Sequence, residues 1–202
     1  MQHPKEQVLV IPATLATVLC PTVWGQPTHT LEPVILDSHS FRDREEAETN
    51  VQFKQVIPYI VVRHKDQYLV SQRTRQQQET RLHNLYSIGQ GGHITDQDFK
   101  TGANLDASDP ILAGLMRELR EEFTLAPEYG CRCIGLINDN SNEVGKVHFG
   151  LVYELRVSSL LLEVAEKGKH IAQWMNGIGL REYYDRMENW SKIVVDCAIR
   201  AA

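Results

Sequence analysis

The sequence of 202 residues holds only four cysteines: Cys20, Cys131, Cys133 and Cys197. That number cannot make a disulfide framework in a chain of this length. Cys131 and Cys133 lie two apart and would share one face of a strand, but no second cysteine or histidine pair completes a zinc site with them. Free thiols in a reducing cytoplasm are the plain reading. Long apolar runs are also missing. Val8–Leu19 comes nearest, but Pro12 and Thr14 interrupt it and Glu6 sits beside Lys5. It falls short of the roughly 20 apolar residues that span a bilayer, and it does not read as a signal peptide. A membrane partner is therefore not expected, and a cytoplasmic location is. Positive charge is in deficit: 21 Lys and Arg against 26 Asp and Glu give a net charge of −5. Non-specific nucleic-acid binding needs a basic surface to displace counterions, so the balance argues against it.

What is present suits one sizeable domain with an added segment. Apolar residues make up 42% and charged residues 23% of the chain, ordinary values for a globular protein. Gln7–Ile11 reads as a buried strand. Pro21, Pro27 and Pro33 punctuate residues 21–50, which read as an irregular connection. Residues 1–52 are thus expected to form an N-terminal strand and connecting segment packed on the core, with the main domain over 53–202. There, the β-branched run Val56–Val62, a polar Arg63–Gln67 and then Tyr68–Ser71 predict a hairpin. A polar stretch with Arg73, Arg75 and Arg81 leads to the glycine-rich turn Gly89-Gln90-Gly91-Gly92-His93, and a second polar loop covers Thr95–Ser108.

Pro110–Phe123 is the clearest helix. Leu112, Leu115, Met116, Leu119 and Phe123 recur at helical spacing, and Asp109 before Pro110 fits an N-cap followed by a first-turn proline. Strands are predicted at Arg132–Ile137, Lys146–Leu155 and His170–Met175, with a turn over Asn138–Glu143. An amphipathic helix over Leu180–Ala198 closes the chain. Strands interspersed with a few helices indicate a mixed α/β domain.

The chemistry-bearing residues sit on the Pro110–Phe123 helix. Glu118 and Glu122 are one turn apart, and Glu121 is three residues beyond Glu118, so the three share a face. Like charges at that spacing repel by a few tenths of a kcal/mol each. Such a cluster either solvates the face or offers oxygen ligands to a hard cation such as Mg²⁺. Acidic helix faces are common, and alone they do not decide between the two.

The context does. Arg117-Glu118-Leu119-Arg120-Glu121-Glu122, behind the turn Gly91-Gly92-His93, resembles the signature box of the Nudix hydrolases, Gly-x5-Glu-x7-Arg-Glu-U-x-Glu-Glu-x-Gly-U, where U is a bulky aliphatic. Leu125 fills the last position and Gly92 the first. Asp109 stands seven intervening residues before Arg117, in place of the isolated glutamate. The resemblance runs from about Lys54 to the C-terminus, and the strings Lys54–Tyr59 and Arg81-Leu82-His83 are similar to a bacterial group of predicted phosphoesterases. There are two departures from the box. Sixteen residues separate Gly92 from Asp109 where the box has five, and Thr124 replaces the last glycine, so the helix should end differently.

This resemblance implies a Nudix α/β/α sandwich with a mixed β-sheet, and a metal-dependent hydrolase that cleaves a phosphoanhydride bond. The implied substrate is a small-molecule diphosphate, such as a nucleoside diphosphate linked to another moiety. It implies Mg²⁺ or Mn²⁺ held by Glu118, Glu121 and Glu122, with the Gly91 carbonyl and Glu154 as further ligands. Arg117 would orient the glutamates, Asp109 would hold Arg117 or cap the helix, and Arg81 and His83 would bind substrate phosphates. Glu118 is the first choice of general base and Glu143 the second. Two other functions stay open: a catalytically silent Nudix-like ligand sensor or regulator, and a diphosphate isomerase or phosphatase. Many relatives form dimers, so a homodimer is open too.

Overall fold

The computed structural model describes residues 5–73, 85–102, 110–124, 129–160, 163–164 and 170–199. It is mixed α/β, as the alternation of elements predicts, with the mixed sheet that the resemblance implies. In chain order the elements are β1 (Gln7–Pro12), α1 (Ala13–Leu19), β2 (Trp24–Gly25), α2 (Leu31–Ser38), β3 (Ser40–Asp43) and α3 (Arg44–Ala47). Then come β4 (Phe53–His64), β5 (Gln67–Arg73), β6 (Tyr86–Ser87), β7 (Gly89–Gly91), α4 (Asp96–Gly102), α5 (Pro110–Glu122) and β8 (Phe123–Thr124). The rest are β9 (Tyr129–Ile137), α6 (Glu143–Lys146), β10 (His148–Val157), β11 (Glu163–Val164), β12 (His170–Asn176), α7 (Gly177–Tyr183) and α8 (Asn189–Val194). The chain forms two compact units, one of residues 1–58, 91–118 and 135–152, the other of 59–90, 119–134 and 153–202.

In the first unit, Val8, Leu9, Val10 and Ile11 of β1 are all fully buried. A strand covered on both faces reads as a continuous apolar run rather than an alternating one. Burying four such side chains contributes about 6–12 kcal/mol as an upper bound. β1 pairs antiparallel with β3 (Val8 opposite Arg42) and with β4 (Val10 opposite Gln55). Residues 21–50, expected to be irregular, carry β2, α2, β3 and α3. Local capping explains part of this: Asp43 accepts from the backbone N–H of Glu45 and Glu46 and starts α3. Its neighbour Arg42 lies 3.7 Å over the Phe53 ring.

In the second unit, the hairpin predicted over 56–71 forms, with His64 opposite Gln67. Lys65 in its two-residue turn has a positive φ of 54°. The strand predicted at His170–Met175 pairs along its length with β5, from His170 opposite Arg73 to Asn176 opposite Gln67. β8 pairs with β11, Thr124 opposite Glu163, so the chain passes from helix into strand at the position where the box has its last glycine.

The closing helix differs from expectation, because Leu180–Ala198 is broken. α7 gives way to a 3₁₀ turn over Tyr184–Arg186, and Glu188 is extended (φ −67°, ψ 163°) before α8 starts. The Glu188 carboxylate caps α8, accepting from Trp190 N at 2.7 Å and Ser191 N at 2.8 Å. It also accepts from the buried Tyr59 hydroxyl at 2.6 Å. One carboxylate thus satisfies a helix N-terminus and a core phenol together, which periodicity alone does not reveal. Burial, with the Glu188 charge beside it, pushes the Tyr59 hydroxyl well above its ordinary pKa.

Candidate active site

Helix α5 is amphipathic, but its buried edge lies one residue from where the sequence pattern put it. Ile111, Leu115 and Leu119 are 0–1% exposed, whereas Leu112 is 41% exposed. Ile111, Leu115 and Leu119 recur every four residues, and Glu118, seven after Ile111, falls on the same stripe. The face that points the apolar residues inward therefore takes Glu118 with it, and Glu118 is only 9% exposed.

Contacts with Arg117 and Gly92 position the Glu118 carboxylate. Arg117 Nη1 donates to its Oε1 at 2.8 Å. On its other side lies Gly92: a Cβ there would stand 1.9 Å from the Glu118 carboxyl carbon and 2.1 Å from each oxygen. Only a residue without a side chain lets the backbone come so near. The turn assigned as the first box position is thus packed directly onto the first box glutamate.

Arg117 is held in turn by a residue that sequence reasoning missed. Its Nε donates to Asp98 Oδ1 at 2.9 Å and its Nη2 to Asp98 Oδ2 at 3.1 Å, a two-pronged charge-assisted pair. Nη2 also donates to the His93 carbonyl at 2.6 Å. The hydrogen bonds it donates to Asp98 and the Glu118 charge outweigh burial and raise the Arg117 pKa above its ordinary value, so it is a permanent cation. Asp98 is 4% exposed, and its Oδ2 also accepts from Thr95 N at 2.8 Å. It lies on α4, inside the Thr95–Ser108 segment expected to be a loop. Counting forward from Gly92 would have found it: five residues, His93–Gln97, separate the two, which is the box spacing. The added residues therefore lie between the acid and Arg117. Asp109 was reached by counting backwards, and it lies outside the described residues, as do Arg81 and His83.

The other expected residues divide as follows. Gly91 ends β7 and is exposed, and Glu121 is exposed on α5; Glu122 closes α5, with its side chain outside the description. Glu154 is buried, and both its oxygens are engaged. Arg156 Nε donates to Oε1 at 2.7 Å, Arg132 Nη2 to Oε1 at 3.1 Å, and Arg63 Nη1 to Oε2 at 3.2 Å. Burial pushes the Glu154 carboxyl up, but Arg156, Arg63 and Arg132 together hold it below its ordinary value. Three guanidinium groups therefore share this one carboxylate. Glu143 begins the short helix α6 and is ion-paired to Lys146 at 2.6 Å, with 80% of its side chain exposed.

Beside the glycine turn lies a group that the sequence reading treated residue by residue. One ligand atom each from Glu48, His93 and His148 lie within 4.8 Å of one another. The two rings meet edge-to-face with centroids 5.9 Å apart. Burial, with the charges of Arg44, His148 and Arg117, lowers the His93 pKa to about 3, so its imidazole is neutral at physiological pH.

The chain is similar to known proteins in sequence and fold. No family model matches the sequence. It is 37% identical over 158 residues to Protein YmaB of Bacillus subtilis strain 168, covering 76% of this chain and 75% of that protein. The structure matches the crystal structure of Tm1382, a candidate Nudix hydrolase, with a TM-score of 0.81 and 28% identity over 98% of this chain and 100% of that one. The NUDIX domain of Shewanella oneidensis NrtR, solved with ADP ribose, aligns at a TM-score of 0.50 and 15% identity over 73% of this chain and 88% of that one, a likeness of fold alone. With the glycine turn packed on the first box glutamate and the box arginine held by an acid at box spacing, the chain belongs to the Nudix hydrolase superfamily.

Proposed function

We propose that the protein is a metal-dependent pyrophosphohydrolase that cleaves the phosphoanhydride bond of a nucleoside diphosphate linked to another moiety. The observation that carries this reading is the Glu118 carboxylate, buried, pressed on Gly92 and paired to an Arg117 that Asp98 holds.

The residues present fit a divalent cation. Glu118, Glu121 and Glu122 offer hard oxygen ligands at one-turn spacing, which suits Mg²⁺ or Mn²⁺, and the Gly91 carbonyl is the proposed further ligand. Such a cation would offset the charge of the diphosphate and lower the pKa of a water. The chain's own residues do the rest. Arg117 fixes the rotamer of Glu118, so that its oxygens meet the site without reorganisation. Gly92, lacking a side chain, lets the turn lie against that carboxylate. Glu118 is the proposed acceptor of the proton from the attacking water. That water's oxygen bonds to phosphorus as the anhydride P–O bond breaks, and the leaving phosphate takes the electron pair.

The test is product analysis with a panel of nucleoside triphosphates, sugar nucleotides, dinucleoside polyphosphates and prenyl diphosphates, with Mg²⁺ or Mn²⁺. A nucleoside monophosphate product, lost with chelator and in Glu122→Gln, is the expected result. An isomerised or dephosphorylated product instead would replace this reading with the isomerase or phosphatase one. Tight binding of a nucleotide without turnover would make the protein a sensor.

A further inference from the structure

We propose that Glu48, His93 and His148 form a second cation site, distinct from the α5 carboxylates and selective for a borderline first-row metal of the Zn²⁺ class. This site does not depend on the hydrolase reading. Its three residues come from separate parts of the sequence: Glu48 just after α3, His93 after the glycine turn, and His148 at the start of β10.

Ligand chemistry sets the metal class. Two imidazole nitrogens and one carboxylate oxygen suit Zn²⁺ and its neighbours, whereas Mg²⁺ prefers all-oxygen sites and gives up its water reluctantly. The α5 carboxylates are the opposite kind of set, so two cations of different hardness would sort between the two places.

The nitrogens are prepared for ligation. His93 Nε2 is buried without a hydrogen-bond partner among the described residues, and its nearest acidic oxygen is Glu48 Oε1 at 4.0 Å. Leaving a buried polar atom without a partner is unfavourable. A lone pair turned to a metal removes that cost. His148 Nδ1 is 2.7 Å from the Val144 carbonyl, which can only accept. The proton must therefore sit on Nδ1, leaving Nε2 as the ligand nitrogen, with its tautomer and ring orientation fixed as outer partners of metal-bound histidines fix them. Gln55 Nε2 stands 3.3 Å from His148 Nε2, and Gln55 Oε1 is itself buried without a partner among the described residues. With metal bound, the amide would yield His148 Nε2 to the cation, and its oxygen could accept from a water in the fourth position.

The distances are near but not closed. With bonds of about 2.0–2.1 Å, tetrahedral ligand atoms stand about 3.4 Å apart. The 4.0 Å between Glu48 and His93 therefore calls for a shift of well under an ångström. Glu48, with 42% of its side chain exposed, has the freedom to make it.

The test uses the full chain, stripped with chelator, refilled with excess Mg²⁺ and titrated with Zn²⁺ and, separately, Co²⁺. Expected are one tight equivalent of Zn²⁺ by elemental analysis after dialysis and a visible Co²⁺ absorption of the kind low-coordinate imidazole sites give. His93→Asn, His148→Asn and Glu48→Gln should each weaken Zn²⁺ at least tenfold, while Glu118→Gln and Glu121→Gln keep the wild-type affinity. Glu48→Gln alters an exposed side chain and keeps the test readable if a histidine variant fails to fold. The proposal is overturned if no Zn²⁺ stays bound over Mg²⁺, if Glu48→Gln binds like wild type, or if Glu118→Gln abolishes the tight equivalent. Because every readout is metal content or spectrum, failure of the hydrolase reading leaves the result intact.

Discussion

Glu118 and Glu154 are both buried carboxylates, at 9% and 5% exposure, and the sequence offered both as metal ligands. Their partners separate them. Glu118 has Arg117, a glycine against its face and two more carboxylates on its own helix. Glu154 has Arg63, Arg132 and Arg156, whose charges exceed its own. Arg117 pairs with Glu118, whereas three guanidinium groups converge on Glu154. Burial alone does not tell the two carboxylates apart; their partners do.

That contrast is tested most strongly at Glu118. Removing a general base costs about 10²–10⁴-fold, so Glu118→Gln should lower kcat by that order with an unchanged unfolding midpoint. Retained turnover would put the base elsewhere. Next comes Gly92→Ala. The added methyl would meet the Glu118 carboxylate at 1.9 Å, and a displacement on the order of 1 Å costs about 10²-fold. Turnover assays of the alanine variant should show that loss with secondary structure intact. Asp98→Asn follows, with an expected fall of about 10–100-fold, as for other partners that orient a functional group. Asp109→Asn, assayed beside it, should be the milder of the two.

The smallest effect on activity belongs to Glu154→Gln, and here stability is the readout. Breaking a buried ion pair costs about 3–5 kcal/mol. Arg132 and Arg156 are 62% and 58% exposed, so screening reduces this to about 1–3 kcal/mol. The pH dependence has a definite sign. The folded Glu154 carboxyl is below its unfolded value of about 4.5, so its contribution is complete above that pH and is lost as pH falls through the lower folded value. Urea melts in that window should show a shallower acid loss in Glu154→Gln than in wild type. A normal acid loss with a collapsed kcat would return Glu154 to the metal site.

Much of this was readable from residue order because short-range physics dictated it. The hairpin followed from a β-branched run and a polar turn, the buried strand from four consecutive aliphatics, and α5 from its apolar period. The box glutamates and Gly92 were readable for the same reason, as their spacing is local. What escaped depended on partners far along the chain. Asp98 lies at box spacing from Gly92 but not from Arg117, and the folded contact shows which acid the guanidinium pairs with. The break at Glu188 was hidden because its cause, the Tyr59 hydroxyl, lies 129 positions away. Glu48 could not be joined to His93 and His148 by any spacing rule.

The Asp98–Arg117 pair has a consequence for how this chain tolerates added length. Eighteen residues separate the two, where the box has seven. By polymer scaling the longer ring costs only about 0.8 kcal/mol more entropy to close. A hydrogen bond to a charged group contributes about 1.5–3 kcal/mol, and this pair makes two. The guanidinium fork thus works as a non-covalent clasp, strong enough to absorb an insertion that would otherwise spread the two halves of the signature. Sequence can grow at that point almost without penalty, so long as the acid and the arginine at its ends are kept.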